Sequence, residues 1–184
     1  MALSNWVVLR GFQVQIGTET IPLPSAARAD EVLLGDGGIH AHWRNVSGTT
    51  LAVPGIVASI AYQPFPKRIA QAARAHGGRD LIDVEGDADR VIIEMNYAFL
   101  LPGDYDKMEG KMRETYGGIR ERVVRWQAEG KLPDVYLPVF MNYAFYRQDY
   151  WGRLKAESRA LAREVAQRVD PGGLFRGRTG GWKP

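Results

Sequence analysis

From Arg90 to Leu100 the chain reads Arg-Val-Ile-Ile-Glu-Met-Asn-Tyr-Ala-Phe-Leu, and this stretch restricts the fold more than any other. Val91, Ile93, Met95, Tyr97 and Phe99 recur at every second position and give one continuous apolar side, the period of a β-strand. Ile92, Glu94, Asn96 and Ala98 fall on the opposite side and set two polar groups at its middle. A buried polar group left unmatched costs about 1–3 kcal/mol. Glu94 and Asn96 therefore either pair with a neighbouring strand or look into a cavity. Just downstream, between Asp104 and Glu129, Tyr105, Met108, Met112, Tyr116, Ile119, Val123 and Trp126 recur at helical spacing, as in a helix laid on a sheet. The two methionines read as core filling, and Gly117-Gly118 is expected to break the helix in two.

Other elements follow from the same periodicities. Asn5 to Ile16 reads as a strand bent at Gly11, the proline-containing span 17–30 as a loop, and Gly35-Asp36-Gly37-Gly38 as a turn between short extended pieces. Ile56, Ala58, Ile60 and Tyr62 alternate with Val57, Ser59, Ala61 and Gln63, which predicts a strand covered on both faces and ended by Pro64 and Pro66. A short helix is expected over Lys67–Ala75, stopped by Gly77-Gly78, a strand over Tyr136–Ala144, and a last helix over Gly152–Arg168, stopped by Asp170-Pro171-Gly172. Met95-Asn96-Tyr97-Ala98-Phe99 recurs as Met141-Asn142-Tyr143-Ala144-Phe145, which hints at matching sheet positions. The sum is an α+β fold: one mainly antiparallel sheet with helices packed on one side, forming a single domain over residues 1–184.

Composition narrows the function. With no cysteine, disulfides, thiolate metal sites and a cysteine nucleophile are excluded. His40 and His42 would share one side of a strand and could share a metal, but no third ligand is evident, so no metal site is expected. Met1–Leu100 carries eight Lys and Arg against ten Asp and Glu, whereas Phe145–Pro184 carries nine against four. That local basic excess alternates with acids along the expected last helix and lacks interleaved aromatics, so no nucleic-acid partner is expected. No apolar run is long enough for a membrane span and no leader pattern is visible, so a cytoplasmic protein without membrane contact is expected.

Several marks come in a recognisable order: Tyr62-Gln63-Pro64-Phe65-Pro66, Gly77-Gly78, the Val91–Phe99 strand, a long helix, Asn142-Tyr143, and the ending Asp170-Pro171-Gly172-Gly173-Leu174-Phe175 with Gly180-Gly181-Trp182. From about Leu51 to Pro184 they resemble the C-terminal substrate domain of FAD-dependent oxidases of the berberine-bridge-enzyme-like class, within the vanillyl-alcohol-oxidase superfamily. The resemblance implies that the sheet face bearing Asn142 and Tyr143 roofs a substrate pocket, and that a separate flavin-binding half would lie beneath it. No histidine sits in the Arg-Ser-Gly-Gly-His-like context where the family attaches FAD, and no glycine-rich phosphate cradle follows a strand. The chain is therefore expected to hold no cofactor of its own, with FAD present only if a separate flavin-binding chain supplies it.

Within that frame Glu94, Tyr143 and Tyr62 are the candidate proton-transfer residues, and Gln63, Asn96, Phe140, Asn142 and Tyr136 the candidate substrate contacts. A structural role for Glu94, tied to Arg or backbone groups, is the competing reading. One expectation is a cofactor-independent cyclase or isomerase acting on an apolar small molecule in secondary metabolism. The other is a subunit of an FAD-linked oxidoreductase that docks on a flavin-binding chain. Either way an apolar surface on the C-terminal helix is expected to need covering, by a homodimer or by a partner.

Overall fold

The computed structural model describes residues 11–77, 82, 84, 86–180 and 183. β1 (Gln13–Pro22), β2 (Val57–Phe65) and β3 (Arg90–Phe99) form a three-stranded antiparallel sheet in the order β1-β3-β2. β3 takes the centre because it is apolar enough to be buried along both edges. Val91, Ile93, Met95, Tyr97 and Phe99 all lie in the main core, as their spacing predicts.

α1 (Ile39–Gly48) and α2 (Lys67–Ala75) precede β3, and α3 (Tyr105–Ala128) follows it. Two of these helices, α1 and α3, pack on the core side of the sheet. α3 crosses β1 and β3 and also packs on α1. Met108, Met112, Ile119, Val123 and Trp126 are its buried apolar positions, with Tyr105 and Tyr116 partly buried beside them. Gly17 lets the helix come close, since a Cβ there would sit 2.4 Å from the Met112 Sδ. The buried Tyr97 hydroxyl joins three elements, lying 3.0 Å from the Ser47 Oγ on α1 and 2.9 Å from the Thr115 Oγ1 on α3.

Gly117 and Gly118 do not break α3. The two glycines differ in what surrounds them. His42 Nε2 lies 3.1 Å and 3.2 Å from the Glu114 and Thr115 carbonyl oxygens, which can only accept, so it carries the proton and donates across the α1–α3 crossing. A Cβ on Gly118 would lie 2.3 Å from that nitrogen, whereas nothing lies within 4 Å of one on Gly117. Gly118→Ala should therefore displace the imidazole and cost about 1–3 kcal/mol. Gly117→Ala should stabilise the protein by about 0.5–1 kcal/mol through helix propensity alone. Urea denaturation of the two variants checks the opposite signs.

Other expectations need correcting. β1 continues to Pro22 and a short helical stretch begins at Ala26, so of the expected loop over 17–30 only residues 23–25 are irregular, and the part of the expected first strand before Gly11 lies outside the described residues. Gly35–Gly38 leads into a helix, not an extended piece. α1 begins at Ile39, which falls with Val46 on one buried helical side, and Ala41 is buried on another. β2 is covered on one face only: Ala58, Ile60 and Tyr62 pack against the core, while Val57, Ser59, Ala61 and Gln63 are exposed.

The largest correction concerns 136–144, which is no strand. Its backbone is satisfied by side chains instead of a ladder. The Tyr136 carbonyl accepts from Arg90 Nε at 2.9 Å and the Leu137 carbonyl from Arg153 Nη2 at 2.7 Å, and Met141–Tyr143 then closes a 3-10 turn. The echo between 95–99 and 141–145 thus joins a buried strand to a turn, not two matching strands. The last helix, α4, spans Ala156–Val169 and begins later than expected. Gly152 belongs to a turn in which its N–H donates to the Asp149 carboxylate at 2.8 Å. Asp170 stops α4 and accepts the Leu174 N–H of the short α5 (Leu174–Arg178) at 2.7 Å.

Candidate functional site

The side of the sheet away from α1 and α3 is partly open. Strand register places Thr18, Glu94 and Ala61 in one row across it, with Ile16, Asn96 and Ser59 in the next and Val14, Ala98 and Val57 beyond. Glu94 and Asn96 sit two apart on β3 and so point the same way. Asn96 Nδ2 donates to Glu94 Oε1 at 2.9 Å. Both are half-buried, and around them Val14 is 44 % exposed, Ile16 37 % and Val57 49 %. A carboxylate–amide pair with an apolar rim can hold a flat apolar molecule and accept a proton or hydrogen bond from it. The face is closed at one end, where Thr20 and Ile92 are buried, and open around Val14, Ile16 and Val57.

The sequence candidates divide around this face. Gln63 shares it, in the row of Ile92 and Thr20, and Phe140 closes the same end in a narrow apolar crevice with Thr20, Ile92, Phe65 and Arg90. Tyr143 meets Phe140 at a tilt of 55° with ring centroids 5.3 Å apart, and Asn142 is exposed on the 3-10 turn. Tyr136 turns elsewhere, its ring lying under Lys155 Nζ at 4.9 Å.

Tyr62 lies on the other side of the sheet. It is paired with Ile93 and packs against the core, so it cannot act with Glu94. Its buried hydroxyl finds no partner among the described residues, and burial pushes its pKa from 10.0 up to about 12. An unfolded phenol ionises near 10, so this group contributes no pH dependence below that value; stability falls as pH rises from about 10 towards about 12. Tyr62→Phe should remove the phenolate absorbance step near 12 and change neutral-pH stability by less than about 1 kcal/mol, because no hydrogen bond is lost.

Sequence reading missed two polar devices beside β1. Glu19 is 1 % exposed and sits on the helix side, where Arg153 grips both its oxygens at 2.6 Å and 3.2 Å. Arg120 stands nearby. Burial and then the like charge of Arg153, partly offset by Glu19, hold its guanidinium below the ordinary arginine range. On the outer edge of β1 the Gln148 amide imitates a strand: its Oε1 accepts from Thr18 N–H at 3.2 Å and its Nε2 donates to the Thr18 carbonyl at 2.7 Å. The β-branched run from Val14 through Thr20 to Ile21 was the available signal for the strand that carries both.

His40 and His42 are two apart on a helix, about 200° around it, and not on one side of a strand. His40 instead faces Trp43 at 5.2 Å. Among the described residues no cluster of three or more His, Asp or Glu is arranged to hold a metal. The glycine turn before α1 does not fit the pyrophosphate of a dinucleotide. It spends its amides internally, Gly35 N–H on the Asp30 carbonyl at 2.6 Å and Gly38 N–H on the Gly35 carbonyl at 2.7 Å. At the other end of the chain Val169 is 64 % exposed, Leu174 59 % and Phe175 61 %, a bare apolar surface beside Arg163, Arg176 and Lys183. No described helix is long and apolar enough to cross a membrane.

Fold and face together describe an α+β unit with one covered side and one open polar-centred side. All 184 residues are 28% identical to a segment of an uncharacterized FAD-linked oxidoreductase from Arthroderma benhamiae. The chain spans 36% of that protein's length. No family model matches it. The chain is thus similar to part of a protein described as an FAD-linked oxidoreductase.

Proposed function

We propose that this chain is the substrate-side unit of an FAD-linked oxidoreductase of the berberine-bridge-enzyme-like kind, whose open sheet face lies against a flavin-carrying body outside these 184 residues. The observation that carries the reading is the Glu94–Asn96 pair, set among the exposed apolar side chains Val14, Ile16 and Val57 on the sheet face away from the core. Similarity along the whole chain to a part of an FAD-linked protein supports it. So does the bare C-terminal surface at Val169, Leu174 and Phe175, a second place for such a body to rest. Bound flavin would supply hydride acceptance. The chain's own residues would orient an apolar small molecule along Val14, Ile16 and Val57, while Glu94, held by Asn96, takes a proton from its hydroxyl or amine.

A stand-alone cyclase acting without cofactor needs a chamber that excludes water around Glu94. Around the Glu94–Asn96 pair Val14, Ile16 and Val57 are exposed, an arrangement that suits a docked partner better than a closed chamber.

The test is co-expression with the remaining part of the Arthroderma benhamiae relative. A yellow complex with one flavin per chain is expected, and Asn96→Arg should abolish it by placing a charge at the centre of the contact. In the complex Glu94→Gln should slow bleaching of the flavin by any active molecule in an apolar small-molecule panel at least about 10²-fold. A colourless mixture, or stoichiometric flavin on this chain alone, would overturn the reading.

A further inference from the structure

The two edges of the sheet are treated differently. In an antiparallel strand the N–H and C=O of one residue point to the same side, and successive residues alternate. Gln148 binds both backbone groups of Thr18 on the outer edge of β1, so the odd residues of β1 face β3. They pair with the odd residues of β3, which leaves the even residues of β3 to bond β2. Those are matched to Val57, Ser59, Ala61, Gln63 and Phe65. The backbone groups of Ala58, Ile60 and Tyr62 must therefore point outward from β2. Pro64 falls in the same outward set and Pro22 in the outward set of β1, the positions where a missing N–H costs no ladder bond.

The outer edge of β1 is plugged by an amide. Among the described residues nothing pairs with the outer edge of β2. Natural edge strands are commonly protected by charged side chains or proline; Val57–Phe65 contains no charge, and Pro64 guards only its end, leaving Ala58, Ile60 and Tyr62 open. An uncharged strand is complementary to itself, because antiparallel pairing with a copy sets no like charges against each other.

We propose that the β2 edge is a pairing surface for a second copy of this chain, joined antiparallel about a two-fold axis at Ile60. Ile60 then meets Ile60 of the second copy, and Ala58 meets Tyr62, with about six backbone hydrogen bonds formed between the outward groups. The result is one continuous sheet in which β1-β3-β2 runs on into the same strands reversed. Edge pairing leaves the open faces free and side by side. Ser59 of each copy falls opposite Ala61 of the other, and the two Glu94–Asn96 pairs lie about 15 Å apart across three strand spacings. The inference stands apart from the proposed function, which concerns the face and not the edge.

The register makes a charge test specific. Ser59 and Ala61 are exposed, so substitutions there leave the core intact. Sedimentation of the purified chain should give twice its mass of 20.5 kDa. The S59K/A61K double variant sets lysines directly opposite one another and should sediment at the mass of one chain. S59E/A61K sets Glu opposite Lys and should remain a dimer. Hydrogen exchange at Ala58, Ile60 and Tyr62 should be protected only at dimer-forming concentrations. A wild-type monomer at all concentrations overturns the proposal, as does a dimer indifferent to S59K/A61K. Protection of these amides in the monomer also overturns it, since the edge would then be covered by the chain itself.

Discussion

Arg153→Ala is expected to lower the free energy of unfolding by about 3–5 kcal/mol, the usual cost of stripping the partner from a buried charge. Glu19 is 1 % exposed, and both of its carboxylate oxygens are engaged by the Arg153 fork at 2.6 Å and 3.2 Å. The same guanidinium donates to the Leu137 carbonyl at 2.7 Å, so its removal also frees the irregular 136–144 segment from the sheet. Arg153 retains 21% side-chain exposure, which places the effect towards the lower end of the range. Arg153→Lys should recover little, because an ammonium cannot grip two carboxylate oxygens and a carbonyl in one plane. The pair Glu19→Gln with Arg153→Met, which removes both charges together, should cost clearly less than Arg153→Ala alone. Guanidinium chloride is unsuitable for an ion pair, so urea is the denaturant of choice. A loss below about 1 kcal/mol for Arg153→Ala would mean that water reaches Glu19.

Elements whose burial follows from their own periodicity were legible in the sequence. β3 alternates and α3 repeats at helical spacing, and each was recognisable without knowing its partner; α2 ends where Gly77 stops it, with φ 73°. The elements misread were those decided by distant side chains. Residues 141–145 repeat the letters of 95–99, yet 95–99 receives two flanking strands while the carbonyls just ahead of 141–145 are taken by Arg90 and Arg153. Local sequence cannot separate those outcomes, because strand formation depends on which neighbour supplies the hydrogen bonds. α1 was missed for a related reason: Gly35-Asp36-Gly37-Gly38 suggested a turn, and the helix beyond it is stabilised mainly by packing on α3.

The same division holds at the candidate site. Glu94 and Asn96 were legible as neighbours because they lie on one strand, and Gln63 followed from the pairing of β2 with β3. Tyr62 was placed with them only while its strand was believed covered on both faces. Once β2 is known to face the core through Ala58, Ile60 and Tyr62, strand alternation alone puts the phenol on the wrong side. Asn142 and Tyr143 depended on a strand that does not form.

Gln148→Leu is the second large effect, and it joins stability to assembly. The Gln148 amide serves Thr18 N–H and carbonyl on the β1 edge and also accepts from Phe145 N–H at 2.8 Å. A leucine of similar bulk fills the volume but leaves three backbone groups in a buried site without partners, each costing on the order of 1 kcal/mol or more, so the total loss should be at least about 3 kcal/mol. Urea denaturation reads that part, and Gln148→Glu should rescue it incompletely, since a carboxylate accepts but cannot donate to the Thr18 carbonyl. The second consequence is at the edge. With β1 unplugged, the sheet offers a free strand at both ends, and a two-fold contact through β2 no longer closes the assembly. Light scattering of Gln148→Leu should therefore rise with concentration well beyond a dimer, and adding S59K/A61K to the same chain should suppress most of that rise. If Gln148→Leu loses stability but stays at the wild-type mass, the amide holds the 144–148 turn in place without guarding the edge, and the asymmetry between the two edges does not control assembly.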